Sequence, residues 1–387
     1  MNMKQKLDDV LETGVQNGRV PGVVAAMVDK NGLTYLGSAG ERTVGSGDVM
    51  TTNTVGAIAS MTKAITGAAV MQLVEKGHLD LDAPAETYCA ELATPQVLEG
   101  FDDVGQPILR EARSKITLRN LLTHTSGYAY DFTDHNLAQW YLATNTPGLT
   151  SLSLDSIRTP LMFDPGTKWQ YGLGIDWAGI VLESVTKSKL GDYFNEYLLQ
   201  PLGMVDTGFV CSPDMLERKA VLHFRNPDSS FLAVQLPTFE NPEFDSGGGG
   251  LFSTMSDYAR FMRMILNDGE LEGTRVLAAE TVAQMATNQM GDIRVTETIS
   301  PNPLFSNNFD FYPGIAKSWG LTFLINEDPL PNGCPAGALT WAGAFNSYYW
   351  IDRTTGIAGC YMSQMLPFFD AGTSGLFFDF QTAAYSS

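Results

Sequence analysis

Ala59-Ser60-Met61-Thr62-Lys63 opens the stretch A-S-M-T-K-A-I-T-G-A-A-V-M-Q-L-V-E-K-G, residues 59–77. Ala64, Ala68, Val70, Met71 and Val74 recur near helical spacing, and Gly77 follows as a helix stop. The spacing predicts a helix that begins at or just before Ser60, with Lys63 on the same face. A serine hydroxyl is a poor nucleophile until a base or cation stands beside it. A helix start adds free backbone N–H groups and the positive end of the macrodipole. The competing reading is plain: Ser60 as a helix cap and Lys63 on a solvated face. A second Ser-x-x-Lys, Ser184 to Lys187, closes a predicted helix at 175–186 and reads as structural, because a terminal lysine suits the dipole.

The chain around this stretch is long and acidic. Its 387 residues exceed one simple core and predict two structural units. A hydrophobic content of 44% against 17% charged residues describes a globular protein with a large interior. The net charge of −19 argues against a nucleic-acid partner and against an anionic membrane surface. Four cysteines stand far apart with no C-x-x-C, and Cys89 and Cys360 read as buried thiols. The four histidines show no metal spacing, so neither metal nor cofactor is expected. Residues 1–14 lack the apolar core of a signal peptide, and no apolar run is long enough to span a membrane. The expectation is a cytoplasmic protein.

Local patterns then place strands at both chain ends. Val23–Val28 is a continuous apolar run, Asp29-Lys30-Asn31-Gly32 a hairpin turn, and Leu33–Ser38 the return strand. Four more strands are predicted at 320–325, 339–342, 347–351 and 357–362, with a closing helix after them. Between lie a loop-rich stretch at 79–114 and helices at 116–122, 134–144, 152–161, 174–186 and from Leu190 to about 201. A further helix ends near Asn267, capped by Ser253 or Ser256. The pattern predicts one antiparallel sheet built from both chain ends and flanked by helices, residues 1–80 with 240–387. A mainly helical unit, 81–239, is inserted. The glycine run 247–250 suits close backbone approach between units, and no phosphate-loop lysine follows it.

Candidate chemistry is spread along the chain. G-x-S-x-G and H-E-x-x-H are absent. A Ser-His-Asp arrangement through His124 is formally open, although His124 sits in a short turn and reads as structural. Pro165-Gly166 forces a turn that holds Tyr171 at a helix start, where a lysine ammonium is able to lower a phenol's pKa. The bland alternative is a tyrosine that packs.

Six motifs occur in one order: A-S-M-T-K at 59–63, L-L-T-H-T-S-G at 121–127, P-G-T-K-W-Q-Y-G at 165–172, P-L-G-M at 201–204, G-G-G-L-F-S-T at 248–254 and W-A-G at 341–343. Together they resemble the serine hydrolases of the class C β-lactamase and penicillin-binding-protein superfamily, and most closely the family VIII carboxylesterases. The resemblance covers nearly the whole chain. It implies an α/β (α+β) β-lactamase-like fold, with Ser60 as the acylated nucleophile, Lys63 as the motif lysine and Tyr171 as the proton-shuttling partner. It also implies an oxyanion hole from the backbone N–H groups of Ser60 and Ala344. Lys63 and Tyr171 are expected to titrate as a pair, with the base left open between them.

Two departures shape the expected substrate. Leu173 stands where the β-lactamase tyrosine motif carries Asn. Trp341 stands where Lys opens Lys-Thr-Gly, so Trp341, Gly343 and Leu173 form the expected substrate wall. An apolar wall without an anchoring cation favours neutral acyl groups. The expectation is a cofactor-free carboxylesterase that hydrolyses short-chain neutral esters through an acyl-enzyme on Ser60, with small molecules as its partners. A β-lactamase, DD-peptidase or acyltransferase on the same scaffold is the alternative, and a non-catalytic binding protein the more distant one.

Overall fold

In the computed structural model, described for residues 2–235 and 242–386, both chain ends meet in one sheet. Strands β1 (Gly22–Asp29) and β2 (Leu33–Gly40) come from the N-terminal end. Strands β3 (Lys317–Trp319), β4 (Leu324–Asn326), β5 (Leu339–Gly343), β6 (Ser347–Asp352) and β7 (Ile357–Met362) come from the C-terminal end. The order is β3-β4-β5-β6-β7-β1-β2, antiparallel throughout. The seam is the β1–β7 pair, where Val24 faces Met362 and Asp29 faces Ile357. The β1–β2 turn forms as its sequence demands, the Asp29 carboxylate accepting from the N–H groups of Asn31 and Gly32.

Five helices build the layers around it: α1 (Met3–Gln16), α2 (Thr62–Glu75), α3 (Gly174–Thr186), α4 (Met255–Leu266) and α5 (Ala371–Tyr385). Strand β6 shows why its sequence, S-Y-Y-W-I-D, does not alternate between polar and apolar. Tyr348 and Trp350 meet Phe377 of α5 on one face, whereas Tyr349 meets Tyr258 of α4 on the other. Both faces are covered, so every residue of the strand is buried. Helix α2 is enclosed in the same way: each residue from Thr62 to Leu73 is buried, and α3 packs beside it. Burying each large aliphatic side chain there contributes about 1.5–3 kcal/mol. A lysine within that envelope is therefore a costly residue that needs partners.

Four local expectations are corrected. Residues 152–161 form short turns, Leu149–Ser151 and Leu154–Ser156, instead of a helix. The serines there bond to nearby backbone, Ser156 Oγ to the Ser153 carbonyl and Ser153 N–H to Ser151 Oγ, which competes with helical pairing. The run at 320–325 is broken by a turn in which Thr322 has φ 78°, leaving only Leu324–Asn326 as strand. The loop-rich stretch holds a hairpin, Gln96–Phe101 with Pro107–Glu111, whose turn is tied by the Asp102 carboxylate. Helix α4 is capped by Thr254, which accepts from Asp257 N–H, not by either neighbouring serine. The expected unit boundary at 239/240 lies outside the described residues.

One close approach ties the sheet to the turn that carries Ser60. A Cβ on Gly343, at the end of β5, would fall inside contact distance of the Ile58 carbonyl oxygen. Gly343→Ala is expected to destabilise the protein by about 1–3 kcal/mol, read from urea midpoints at an unchanged m-value. A variant as stable as wild type would show that β5 does not need this approach.

Candidate active site

Ser60 sits half-buried on a single 3₁₀ turn, Ala59–Met61, that runs directly into α2. Ala59, just before it, is held in the left-handed region at φ 43°, a conformation that costs a non-glycine residue about 1–2 kcal/mol. Neither Ile58 nor Met61, the residues flanking the two helical segments, makes a side-chain cap, and Ser60 is not a cap either. Its hydroxyl is turned to Lys63 Nζ, 3.1 Å away.

Lys63, expected on a shared face, is fully buried. Its Nζ also lies 2.9 Å from Tyr130 Oη and donates to the Gly248 carbonyl at 2.6 Å. Burial dominates its titration and lowers its pKa to about 7, against an opposing pull from Asp176. Within the fold the amine is thus close to balanced between charged and neutral at neutral pH.

Tyr171 arrives on the loop before α3. Two interlocked loops hold it: Gln170 N–H donates to the His124 carbonyl, and Thr133 Oγ donates to the Tyr171 carbonyl. The Tyr171 hydroxyl lies within reach of Ser60 and accepts from Trp341 Nε1 at 3.2 Å. The sequence-based expectation that the ammonium lowers this phenol's pKa is corrected. Burial raises it, and Lys63 Nζ stands over the ring face, 4.7 Å from the centroid. Tyr171 therefore remains a phenol near neutrality, where Lys63 is close to balanced between its two forms.

His124 does not enter a triad. Its Nδ1 accepts from Gly172 N–H at 3.3 Å, and its ring packs against Tyr171 and Trp319. Burial and the nearby Lys63 keep its pKa well below the ordinary value, so the ring is neutral. Ser184 and Lys187 lie at the far end of α3, where Lys187 is exposed as the C-cap.

The expected wall is placed unevenly. Trp341 packs against Tyr171, Trp319 and Phe311 with centroids 4.8, 4.6 and 5.3 Å away. Trp341 is itself buried, so it too presents no open wall, and its indole N–H makes it a partner of Tyr171 instead. Gly343 abuts the Ser60 turn, and Ala344 follows it, half-buried. Leu173 is fully buried at the start of α3 and presents no surface to a substrate. The aromatic segment at 288–312 reaches the site: Phe305 packs on Phe132 at 4.7 Å, and Phe132 stacks on Tyr130 at 5.0 Å.

Three participants escaped the sequence reading. Tyr130 comes shortly after the T-H-T-S-G motif, behind Tyr128 and Ala129, yet nothing local separates it from Tyr128. Gly248 contributes only its backbone. Asp176 left a legible signal, as the lone charge within G-I-D-W-A-G-I-V-L. Asp176 is fully buried and accepts from Tyr130 Oη at 3.1 Å, Ser246 Oγ at 2.6 Å and Gly248 N–H at 2.9 Å. Among the described residues no cluster of His, Cys, Asp or Glu is arranged to hold a metal, and no helix is long and apolar enough to cross a membrane.

This fold is that of the serine hydrolases of the β-lactamase-like superfamily. The family model described as Beta-lactamase matches residues 7–381, and the chain belongs to that family. It is 31% identical to the lovastatin esterase of Penicillium rubens over 366 residues, 91% of each chain. It is 30% identical to the monacolin J acid methylbutanoyltransferase of Aspergillus terreus, covering 98% of this chain and 95% of that one. A solved LovD6 mutant of simvastatin synthase from Aspergillus terreus superposes with a TM-score of 0.84 at 31% identity, over 98% of this chain and 96% of that one.

The buried lysine has a measurable signature. Between pH 10.5 and about 7 the unfolded chain holds a proton on Lys63 that the folded chain does not. Folding stability therefore falls as pH is lowered across that window. Lys63→Met lacks this contribution, so urea titrations of the two proteins should shift in favour of the variant as pH drops from 10 to 7. A constant gap would mean that Lys63 keeps its ordinary pKa.

Proposed function

We propose that the chain is a carboxylesterase that cleaves short-chain neutral esters through an acyl-enzyme on Ser60. The observation that carries this is the 3.1 Å pairing of the Ser60 hydroxyl with a buried lysine whose pKa is close to 7. Neutral Lys63 takes the Ser60 proton as Oγ bonds to the ester carbonyl carbon. The backbone N–H groups of Ser60 and Ala344 receive the oxyanion. When the carbon–oxygen bond to the alcohol breaks, the Tyr171 phenol supplies a proton to the leaving oxygen, and the Lys63 ammonium makes good the loss. Water then enters by the reverse route and frees the acid.

The lining supports a neutral, apolar acyl group. Phe132 and Phe305, both half-buried, pack beside Tyr130, and the exposed Ile299 and Leu304 add apolar surface on the same segment as Phe305. No cation occupies position 341 to hold a carboxylate. A second reading replaces water by an alcohol acceptor, and the relatives favour it equally: an esterase and an acyltransferase match this chain at nearly the same identity.

With p-nitrophenyl butyrate, Ser60→Ala should lose about 10³-fold or more of kcat/KM, and Tyr171→Phe about 10²–10³-fold, with circular dichroism unchanged. Full turnover by Ser60→Ala would remove the nucleophile. Adding a secondary alcohol to the wild type separates the readings: a transferred ester in place of free acid supports the acyltransferase. A chromogenic cephalosporin should be a poor substrate for either.

The pH dependence follows from the same lysine. The kcat/KM of the wild type should rise as Lys63 deprotonates, with a half-point near 7. His124 is already neutral there and adds no second limb. A half-point above 9 would assign the proton transfer to another group.

A further inference from the structure

A neutral amine has two N–H donors and one lone pair, and three neighbours surround Lys63 Nζ: the Gly248 carbonyl at 2.6 Å, Tyr130 Oη at 2.9 Å and Ser60 Oγ at 3.1 Å. For the amine to act as a base toward Ser60, its lone pair must point there, and both N–H groups must point elsewhere. The Gly248 carbonyl only accepts and claims one N–H. The Tyr130 hydroxyl is ambiguous, because a phenol both donates and accepts. If it donated to Lys63 it would occupy the lone pair and leave Ser60 without a base.

Asp176 removes the ambiguity. Its Oδ2 lies 3.1 Å from Tyr130 Oη, and a carboxylate only accepts. The single phenolic proton therefore points to Asp176, and the tyrosine oxygen faces Lys63 as an acceptor. The other oxygen, Oδ1, accepts from Gly248 N–H at 2.9 Å and from Ser246 Oγ at 2.6 Å. One carboxylate thus fixes both acceptors of the lysine, the phenol through Oδ2 and the Gly248 peptide through Oδ1. A Cβ on Gly248 would collide with Asp176 Oδ2 and crowd Tyr130 Oη, so the circuit closes only around a glycine.

We propose that Asp176 is a positioning residue that sets the proton direction of Tyr130, and through it aims the lone pair of Lys63 at Ser60. The proposal rests on Ser60 being the nucleophile. The groups facing Lys63 are Ser60 from its own turn, Tyr130 and the Gly248 carbonyl from two loops, the Tyr171 ring, neutral His124, and Asp176 from α3. Asp176 is the carboxylate that acts on the lysine's titration, and it raises the lysine's pKa against burial.

Asp176→Asn keeps the shape and reverses one donor. The amide oxygen is retained by Ser246 and Gly248 N–H, so the amide nitrogen faces Tyr130 and donates to it. The phenolic proton then turns to Lys63. The expected result is a fall in kcat/KM of about 10²-fold, together with an acid limb displaced to lower pH because the carboxylate charge is gone. Tyr130→Phe alone should slow the enzyme about tenfold. In the Asp176→Asn background, however, it removes the misdirected proton and should raise activity.

A purely structural Asp176 predicts the opposite: an unmoved acid limb and a double variant slower than either single one. That outcome overturns the proposal. If Asp176→Asn does not fold, Tyr130→Phe alone still tests it. Loss of rate with an acid limb moved to lower pH supports the circuit, and wild-type rate and profile overturn it. Ser60→Ala in the same assay separates the two layers. An active Ser60→Ala fails the nucleophile itself, whereas an inactive one beside a wild-type-like Asp176→Asn fails only the circuit.

Discussion

The site depends on holding a lysine amine out of water. A charged ammonium with no solvent contact carries a desolvation penalty of several kcal/mol. Lys63 answers it in two ways, by a lowered pKa and by three neighbours within 3.1 Å. Each neighbour comes from a different part of the chain: the turn before α2, the loop after the T-H-T-S-G motif, and the glycine run. The burial of α2, with α3 packed beside it, is therefore part of how this lysine is held. Were α2 a surface helix, its lysine would be an ordinary solvated cation and a poor base near neutrality.

The aromatic residues act as a second constraint. Tyr171 is clasped between the Trp341 indole N–H and the face it offers to Lys63. Tyr130 is stacked on Phe132, which in turn meets Phe305. Rings with few rotatable bonds lose little entropy on being fixed, so they hold hydroxyl groups in place economically. The indole at position 341 and the phenol at 171 are thus one hydrogen-bonded unit.

Much of this was legible in the residues. The strands at both chain ends, the N-G hairpin, the Ser60 turn and the closing helix carry strong local patterns, and the single sheet formed from them. What was not legible was non-local. Tyr130 differs from its neighbours only by what it meets across the fold, and Gly248 contributes an atom every residue possesses. The direction of the Tyr171 pKa was misread because a sequence shows that a lysine is near but not which face of the ring it covers. The serine-rich stretch near 152–156 was misread for a local reason, side chains bonding their own backbone in place of a helix.

The β1–β7 seam, Val24 against Met362, bears on how the molecule comes into being. During synthesis Gly22–Asp29 leaves the ribosome with its hairpin partner and then waits until Ile357–Met362 has been made before its other edge is covered. The strand that abuts the Ser60 turn, Leu339–Gly343, is also late to emerge. A nascent chain halted in its middle would carry the serine and the lysine but lack the floor beneath them. The surroundings of Ser60 and Lys63 are thereby completed only once Leu339–Gly343 and Ile357–Met362 have been made, and until then the growing chain carries an unpaired sheet edge.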